Sequence, residues 1–590
     1  MVFFPDKNNN INTIAKGIFN SLDNSITIIQ KVCNFATESI QQDMKTKSPI
    51  ERIRLLVLGH KKEVVSIYLF SILSGVVNLS LPLGVQTIIG LVMGATMVTS
   101  IYVLIFFVVL GVFFVGLFQI NQMRIIESIQ QRLFASYAFD FAEKLPKLDL
   151  KYIDHYFMPE KVTRFFDVVS IQKGFAKLLL DIPIASVQII LGILLLSLYH
   201  PLFIVLGFVL LVGLGLVLFY TSKKGIETSI EESNYKYAVA GFFSEIARTL
   251  KSFKFNQGST LHTDKTDHSV SGYLQARTQH FRVLLLQYKT LIVFKVSLTI
   301  LMLTLGTYLL INQVLNIGEF IAAEIVILMV ISAVEKLIVS LDSAYDVMTG
   351  LEKLASVTEC PEERSGKMAL EAPTGIEILM QDFSYSFITN KPAIQSINLH
   401  IKAGEKISIL GPSGSGKSLL LRMITGNYPD FEGMLLINKV PIQNYELKSL
   451  RQKTGVLLPG QEIFGGTVWE NISLGQQNIS PTHILARATE LGFEDFISHF
   501  PLGFDNILEP IGKKTPQTLI RKILLLRALC GEKSLLLLEE PWTGLPEDIA
   551  QKVRQYLLTL SPKTTVVVVT NHPDFISKTD QQISLSHGKI

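Results

Sequence analysis

Long apolar stretches, grouped in pairs, dominate the first 345 residues of the chain. No charged residue occurs between Val64 and Met123, and this length accommodates two membrane-spanning helices of about 20 residues each with a short turn. Two more pairs cover 182–222 and about 290–341. The pattern therefore predicts six spans, at about 64–89, 97–121, 182–199, 201–222, 290–311 and 319–341.

Charged segments separate these pairs. The segments 124–181 and 223–289 are long, charged and helical in period, whereas the turns within the pairs carry almost no Lys or Arg. Under the positive-inside rule, the N-terminal segment, both long segments and everything after the sixth span face the cytoplasm. We therefore expect a multi-pass protein of the cytoplasmic (inner) membrane, with both termini cytoplasmic and with helices that extend beyond the lipid bilayer.

The third pair contains the ionisable residues Lys295 and Glu324. A charge in the bilayer interior is costly unless it is paired or hydrated. The two side chains could form a substrate-cavity or gating pair, or a simple interhelical salt bridge, or lie nearer to the membrane interface. The sequence leaves these possibilities open.

The segment 407–426, ISILGPSGSGKSLLLRMITG, has the spacing of a phosphate-binding loop between a strand and a helix. Glycines let backbone N–H groups wrap a phosphate, and the helix N-terminus adds its positive dipole. Lys417 would reach the β- and γ-phosphates of ATP, and Ser418 would ligate Mg²⁺. The predicted nucleotide-binding residues in this segment are Gly411, Pro412, Ser413, Gly414, Ser415, Gly416, Lys417, Ser418 and Leu419.

Residues 535–542, LLLLEEPW, begin with an apolar run that is too short for a membrane span. Such a run suits a strand buried on both faces, and α/β sheets place ligand chemistry at the carboxyl ends of their strands. Glu539 would then support Mg²⁺, and Glu540 would polarise the attacking water. A second strand, within VVVVTNH (566–572), would deliver His572 to the same edge, where we expect it to contact the γ-phosphate.

The predicted fold class is an all-α six-helix membrane domain with long cytoplasmic helix extensions, followed by an α/β P-loop ATPase domain. The stretch LDSAYDVMTGLEKLASVTE is predicted to be a helix that leaves the membrane, before a polar linker with Pro and Gly. The predicted boundaries are 1–47 for a polar or amphipathic N-terminal extension, 48–345 for the membrane domain, 346–372 for the linker and 373–590 for the nucleotide-binding domain.

Composition narrows the range of functions. The 590 residues are 48% hydrophobic and 18% charged, which indicates an apolar part and a soluble part in one chain. A net charge of +4, without basic runs interleaved with aromatics, argues against a nucleic-acid partner. Cys33, Cys360 and Cys530 lie far apart and match no metal-ligand spacing. The N-terminus lacks the pattern of a signal peptide.

These parts, in this order, resemble an ABC exporter half-transporter, in which a six-span membrane domain is fused to an ATP-binding cassette. The resemblance covers nearly the whole chain from about Ser48. It implies that Tyr385, in FSYSF, stacks on adenine, and that 147–167 and 244–255 belong to intracellular loops that dock on the ATPase. Three further segments resemble the family, namely 463–472, 500–506 and 520–529.

The chain departs from the family in four motifs. TPQTL (515–519) stands where the family has LSGGQ, a motif that contacts the γ-phosphate bound by the opposite subunit, and Pro516 has no N–H to give. The Q-loop glutamine position holds Pro459, with the candidate nucleotide contact Gln461 displaced by two. Glu539 replaces the Walker B aspartate and is one methylene longer, which would disturb the Mg²⁺ spacing. A proline replaces the D-loop aspartate in TGLP.

Two functions are compatible with this pattern. The first is an ABC-type ATPase subunit that drives export by alternating access, paired with a half-transporter that retains LSGGQ. A homodimer would contain two sites that each lack a signature, so its activity would be weak. The alternative is a nucleotide-binding membrane regulator or scaffold with little or no ATPase activity. Polypeptide, lipid and amphipathic small molecule all stay open as transported substrates.

Overall fold

The computed structural model of the chain describes residues 47–94, 98–154, 157–256, 258–372, 374–388 and 391–590. The predicted N-terminal extension lies outside these residues except for its last position. The chain divides into two compact units. The first, here called the membrane unit, contains the described residues up to Phe141 together with Pro159–Thr358; the second, the nucleotide unit, contains Ala142–Met158 and Glu359–Ile590.

Helices form nearly all of the described chain up to Thr358. In chain order they are α1 (Pro49–Gly59), α2 (Lys61–Asn78), α3 (Ser80–Met93), α4 (Val98–Lys144), α5 (Leu150–Ile153), α6 (Met158–Thr163), α7 (Asp167–Tyr199), α8 (Pro201–Arg248), α9 (Leu250–Phe255), α10 (Leu261–Ile311) and α11 (Ile317–Thr358).

Six helical segments within the described residues are long and apolar enough to cross a membrane. They are Lys61–Met93, Thr99–Lys147, Met158–Tyr199, Pro201–Arg248, Leu261–Ile311 and Ile317–Thr358. The predicted six spans and their long helical extensions are thus confirmed.

Two predicted boundaries differ from the structure. The first span is interrupted at Leu79, between α2 and α3, because Pro82 has no N–H for a continuous helix and its ring would clash with the carbonyl four residues earlier. The membrane unit ends at Thr358 and not at the predicted domain boundary of residue 345, because α11 continues to Thr358, in agreement with the helix predicted for LDSAYDVMTGLEKLASVTE. Its apolar face stays buried over this extra length, at Leu351 and Leu354.

The apolar core of the membrane unit lies mainly between α7, α10 and α11. Leu291 on α10 and Val326 on α11 are fully buried there. At Gly192 of α7, a Cβ atom would lie 2.6 Å from a methyl group of Val330. The small residue therefore lets α7 and α11 approach closely, as small residues do in membrane helix packing.

An ion pair joins α10 and α11, with 2.6 Å between Lys295 Nζ and Glu335 Oε2. Of the possibilities that the sequence left open, a pair between Lys295 and Glu324 is therefore wrong, whereas an interhelical salt bridge that involves Lys295 is present. The reason is the depth of each residue in the hairpin. Lys295 lies 16 residues before the end of α10 (311 − 295), and Glu335 lies 18 residues after the start of α11 (335 − 317), whereas Glu324 lies only 7 after it (324 − 317).

The nucleotide unit alternates strands and helices, as predicted. Its strands are β1 (Ile378–Ile388), β2 (Lys391–Ile401), β3 (Lys406–Leu410), β4 (Glu432–Ile437), β5 (Val440–Pro441), β6 (Thr454–Leu457), β7 (Gly466–Thr467), β8 (Ile507–Leu508), β9 (Leu535–Glu539), β10 (Thr565–Val569) and β11 (Gln581–Ser584). Its helices after the linker are α12 (Lys417–Ile424), α13 (Leu447–Lys453), α14 (Val468–Ser473), α15 (Pro481–Glu490), α16 (Gln517–Leu529), α17 (Glu547–Thr559) and α18 (Pro573–Ile576).

Two main sheets organise this unit. One is antiparallel with the order β2-β1-β4-β5, and the other is parallel with the order β11-β3-β10-β9-β6. The four leucines of β9 are buried, which confirms the predicted central strand. Because β3, β9 and β10 are parallel neighbours, their carboxyl ends share one edge of the sheet. That edge carries the phosphate loop, the two glutamates and His572.

Candidate functional site

The phosphate-loop segment connects the carboxyl end of β3 to α12. Gly411 has φ +142°, and a Cβ atom there would lie 2.0 Å from the carbonyl oxygen of Leu585, so only glycine fits. Gly416, with φ +102°, is followed directly by the first helical residue, Lys417. The first N–H groups of α12 have no partner within the helix, so a phosphate in the loop would accept hydrogen bonds from them. The positive end of the helix dipole would stabilise the negative charge of this phosphate.

The ammonium of Lys417 lies against this loop. It donates to the carbonyl oxygens of Gly411 at 2.8 Å and Pro412 at 2.7 Å, and it lies 3.3 Å from Ser415 Oγ. These contacts hold a positive charge beside the backbone amides that would receive phosphate. That Lys417 reaches the β- and γ-phosphates stays a prediction.

Glu539, the last residue of β9, lies next to the phosphate loop. Its Oε1 accepts a 2.8 Å hydrogen bond from Ser418 Oγ, the second residue of α12. Its Oε2 is buried and has no hydrogen-bond partner among the described residues. The Ser418 hydroxyl and the Glu539 carboxylate thus lie together, and Oε2 of the carboxylate is free of hydrogen bonds to the described residues. Oxygen atoms of this kind are the ligands that Mg²⁺ prefers. The additional methylene of the glutamate does not prevent contact with Ser418.

Glu540 marks the corner at which the chain leaves the sheet. Its φ of +42° lies in the left-handed region that favours glycine. The backbone N–H donates to Val569 O at 2.9 Å, so the residue is still tied to β10. Its carboxylate accepts hydrogen bonds at 3.3 Å from Thr570 Oγ1 and from the backbone N–H of Asn571. The side chain is thereby held at the sheet edge occupied by the phosphate loop.

His572 follows β10 and precedes α18. Its ring packs edge-on against Trp542, with ring centres 5.9 Å apart. Its Nδ1 is buried without a hydrogen-bond partner in the part of the chain that the structure describes. Nδ1 of the imidazole is thus not engaged by the described residues, at the sheet edge where hydrolysis is predicted. Contact of His572 with the γ-phosphate stays a prediction.

The ring of Tyr385 is not open for the predicted stacking on adenine. It is only 3% exposed and packs against Tyr428 and Phe387, with ring centres 5.5 and 5.1 Å away. Phe387, two residues further along β1, is 46% exposed. Register shifts in the pairing of β1 with β2 change the usual alternation of strand faces here, so the accessible aromatic ring is Phe387.

Two of the altered family motifs, at Pro459 and TPQTL, have exposed residues on the surface of the nucleotide unit. Pro459 is exposed, and Gln461 has a buried Oε1 without a hydrogen-bond partner among the described residues. In TPQTL, Pro516 caps α16, and Gln517 and Thr518 are exposed. The segment therefore presents a proline ring and two polar side chains at the start of that helix.

Of the first predicted intracellular loop (147–167), the part up to Met158 belongs to the nucleotide unit. The phenol of Tyr428 donates a 2.5 Å hydrogen bond to Asp154 Oδ2, and Lys151 Nζ lies 2.8 Å from Asp430 Oδ2. The Lys151 ammonium holds the pKa of Asp430 below its ordinary value. The first predicted loop is thus anchored to the region that follows α12.

Sequence reasoning missed three residues around the two glutamates. Arg521 donates to the carbonyl oxygens of Glu539 and Glu540, Trp542 packs on His572, and Thr570 donates to the Glu540 carboxylate. Trp542 was detectable, since it is one of two tryptophans and directly follows EEP. Arg521 was not, because its contacts depend on how α16 packs behind β9.

A protein-family model described as ABC transporter matches residues 394–543. An ATP-dependent lipid A-core flippase of Syntrophus aciditrophicus is 28% identical over 48% of this chain and 48% of its own length. The alpha-hemolysin translocation ATP-binding protein HlyB of Escherichia coli is 26% identical over 59% of this chain and 50% of its own length. The chain thus spans about half the length of these curated relatives.

A solved structure, that of a bacterial Atm1-family ABC exporter with ATP bound, has a similar fold. The TM-score is 0.81, with 17% sequence identity over 90% of this chain and 94% of the exporter chain. At this identity the likeness concerns the fold, and it covers the spans as well as the soluble domain. The chain is therefore a multi-pass membrane protein homologous to ABC exporters, with an ABC transporter domain fused behind six candidate spans.

Proposed function

We propose that this chain is an ATP-hydrolysing subunit of a membrane exporter in the cytoplasmic membrane. The observation that carries the proposal is the hydrogen bond between Ser418 and Glu539. It brings the first turn of the phosphate-loop helix to the end of β9, at the sheet edge that also carries Glu540 and, after β10, His572. Binding, metal coordination and hydrolysis can therefore take place at one edge of the parallel sheet.

Nucleotide binding follows from the loop geometry. The first amides of α12 and the ammonium of Lys417 would hold the phosphates of ATP, and Gln461 would contact them from the other side. Phe387, rather than Tyr385, would stack on adenine, because its ring is exposed. Ser418 and Glu539 would hold Mg²⁺, which neutralises phosphate charge when it is bound.

Hydrolysis requires a water molecule oriented toward the γ-phosphate. The carboxylate of Glu540 would accept a hydrogen bond from this water and polarise it, in the role of a general base. His572 would contact the γ-phosphate through its ring and stabilise the charge that develops there. ATP binding would bring two nucleotide units together and turn the paired membrane domains outward, and hydrolysis would reset them.

The surface around TPQTL supports a heterodimer. Pro516 has no N–H, and the side chains of Gln517 and Thr518 occupy the positions at which the family has glycines. A partner that retains LSGGQ would complete the site built on this chain's phosphate loop. The partner's own ATP would face TPQTL and turn over poorly.

The same surface favours a second function, that of a nucleotide-binding membrane regulator with little turnover. Such a protein needs the phosphate loop but has no requirement for Glu540 and His572. We therefore place the exporter subunit first. Tight ATP binding that no transported compound or partner converts into hydrolysis would favour the regulator.

The test is Mg²⁺-dependent ATP hydrolysis by the chain in lipid nanodiscs, alone and with the polypeptide that co-purifies with it. We expect hydrolysis in at least one of these preparations, and we expect Glu540→Gln to abolish it while ATP binding persists. Glu532→Gln, an exposed carboxylate in the loop before β9, is the matched control. Absence of hydrolysis in both preparations would contradict the proposal.

A further inference from the structure

The corner at Glu539 and Glu540 needs support, because Glu540 adopts a conformation that is unfavourable for a residue with a side chain. Its φ of +42° costs on the order of 1 kcal/mol relative to an ordinary conformation. Such a conformation persists only where surrounding contacts impose it. The N–H of Glu540 is held by Val569 O, and its carbonyl oxygen needs a second contact.

Arg521 supplies that contact from α16. Its Nη2 donates to the carbonyl oxygen of Glu539 at 3.2 Å and also to that of Glu540. Its Nε is buried and has no hydrogen-bond partner among the described residues. The guanidinium therefore binds the corner through the two hydrogen bonds of Nη2 to these carbonyl oxygens. Burial lowers the pKa of Arg521 below its ordinary value, because it outweighs the negative charges of Glu540 and Glu539, which raise the pKa.

We propose that Arg521 is a positioning residue for Glu540. By holding both carbonyl groups, it fixes the peptide between the two glutamates, and thereby the direction in which the Glu540 carboxylate leaves the backbone. It acts through Glu540 and does not itself touch nucleotide. This inference rests on the proposed role of Glu540 in hydrolysis and extends it to a residue of α16.

The arrangement also links two regions of one chain. Arg521 lies four residues beyond Gln517, the first residue of α16, so α16 begins within TPQT (515–518). A movement of TPQT caused by a partner subunit would thus shift the Arg521 side chain and, through it, the Glu540 corner. In this chain the Arg521 side chain therefore connects the helix that begins in TPQT to the backbone at Glu540, the proposed catalytic residue of the same chain.

The test compares Arg521→Met with Arg487→Met in the full-length chain in nanodiscs, with the co-purifying partner if hydrolysis requires it. Arg487 is the matched control, because it is also a partly buried arginine, lies on α15 and pairs with Glu490, away from the two glutamates. We expect Arg521→Met to lower kcat about 10-fold and to leave KM for ATP within about twofold, because orientation and not binding is lost.

A second measurement does not depend on turnover. Hydrogen exchange, followed by mass spectrometry, should be faster in peptides that cover 536–543 in Arg521→Met, and unchanged in Arg487→Met and in peptides covering β3. Exchange at 536–543 that matches the unaltered chain would overturn the proposal, whether or not the chain hydrolyses ATP. An equal kcat loss in Arg487→Met would also overturn it. Absence of hydrolysis together with faster exchange would refute the proposed function and leave the Arg521 contact intact.

Discussion

Tyr428, in the loop that follows α12, forms a 2.5 Å hydrogen bond with Asp154, the residue directly after the short helix α5. The Tyr428 ring is 1% exposed, and its φ of +58° lies in the left-handed region. This bond and the Lys151–Asp430 ion pair hold α5 against the loop that follows α12. Of the two, the hydrogen bond should contribute more, because its Tyr428 side is buried, whereas exposed ion pairs contribute little.

Tyr428→Phe should therefore loosen α5 without unfolding the nucleotide unit. Loss of the hydrogen bond costs about 1 to 2 kcal/mol, which corresponds to about 5- to 30-fold more frequent local opening. Trypsin cleavage after Lys147 and Lys151 should accelerate by this factor. Tyr445→Phe is the matched control, since that phenol is equally buried but bonds to Ile437 O. Equal cleavage rates in the two variants would contradict the assignment.

Removal of the aromatic ring from Phe387 should weaken nucleotide binding. An aromatic ring contributes about 1 to 3 kcal/mol when a base stacks on it, so Phe387→Ala should raise the Kd for ATP about 10-fold or more. Tyr385→Phe should leave the Kd unchanged, because it removes only a buried hydroxyl. Both values can be measured by titration with a fluorescent ATP analogue. The reverse ranking would restore Tyr385 as the stacking residue.

The ion pair between Lys295 and Glu335 predicts a charge-reversal result. Lys295→Glu or Glu335→Lys alone should lower the thermal unfolding temperature in nanodiscs, because each places like charges side by side in an apolar bundle. The double variant should recover most of the loss. Glu324→Gln, which changes an acid at a different depth, serves as the control and should have a small effect. Failure of the double variant to recover stability would argue against the pair.

Cys530 is predicted to be inert toward thiol reagents. It is buried at the end of α16, and burial raises the pKa of its thiol to about 11. At pH 8 the thiolate that reacts is therefore scarce and inaccessible. Iodoacetamide should label Cys530 in unfolded chain only, whereas partly exposed Cys360 should react in the folded chain. Peptide mass spectrometry distinguishes the two sites, and rapid labelling of Cys530 would show that α16 opens.

The strand-turn-helix of the phosphate loop and the buried LLLLEE strand could be predicted because their signals are local. A glycine-rich turn between a strand and a helix, or an apolar run that ends in two acids, specifies its own conformation and its edge of the sheet. The six spans were predictable for the same reason, since about 20 uncharged residues suffice to cross a bilayer.

Contacts between elements could not be predicted in the same way. The partner of Lys295 depends on hairpin depth, which places Glu335 and not Glu324 beside it. The burial of Tyr385 depends on the irregular register between β1 and β2, which no local pattern reveals. The Arg521 contact with the glutamate corner depends on the packing of α16 against the parallel sheet.

Electron paramagnetic resonance with Mn²⁺ in place of Mg²⁺ tests most directly whether the two glutamates lie beside the bound triphosphate. With ATP present, the full-length chain should bind Mn²⁺ stoichiometrically, and Ser418→Ala and Glu539→Ala should each weaken this binding about 10-fold or more. Glu532→Gln should leave it unchanged. Mn²⁺ binding that survives both Ser418→Ala and Glu539→Ala at full strength would contradict the account.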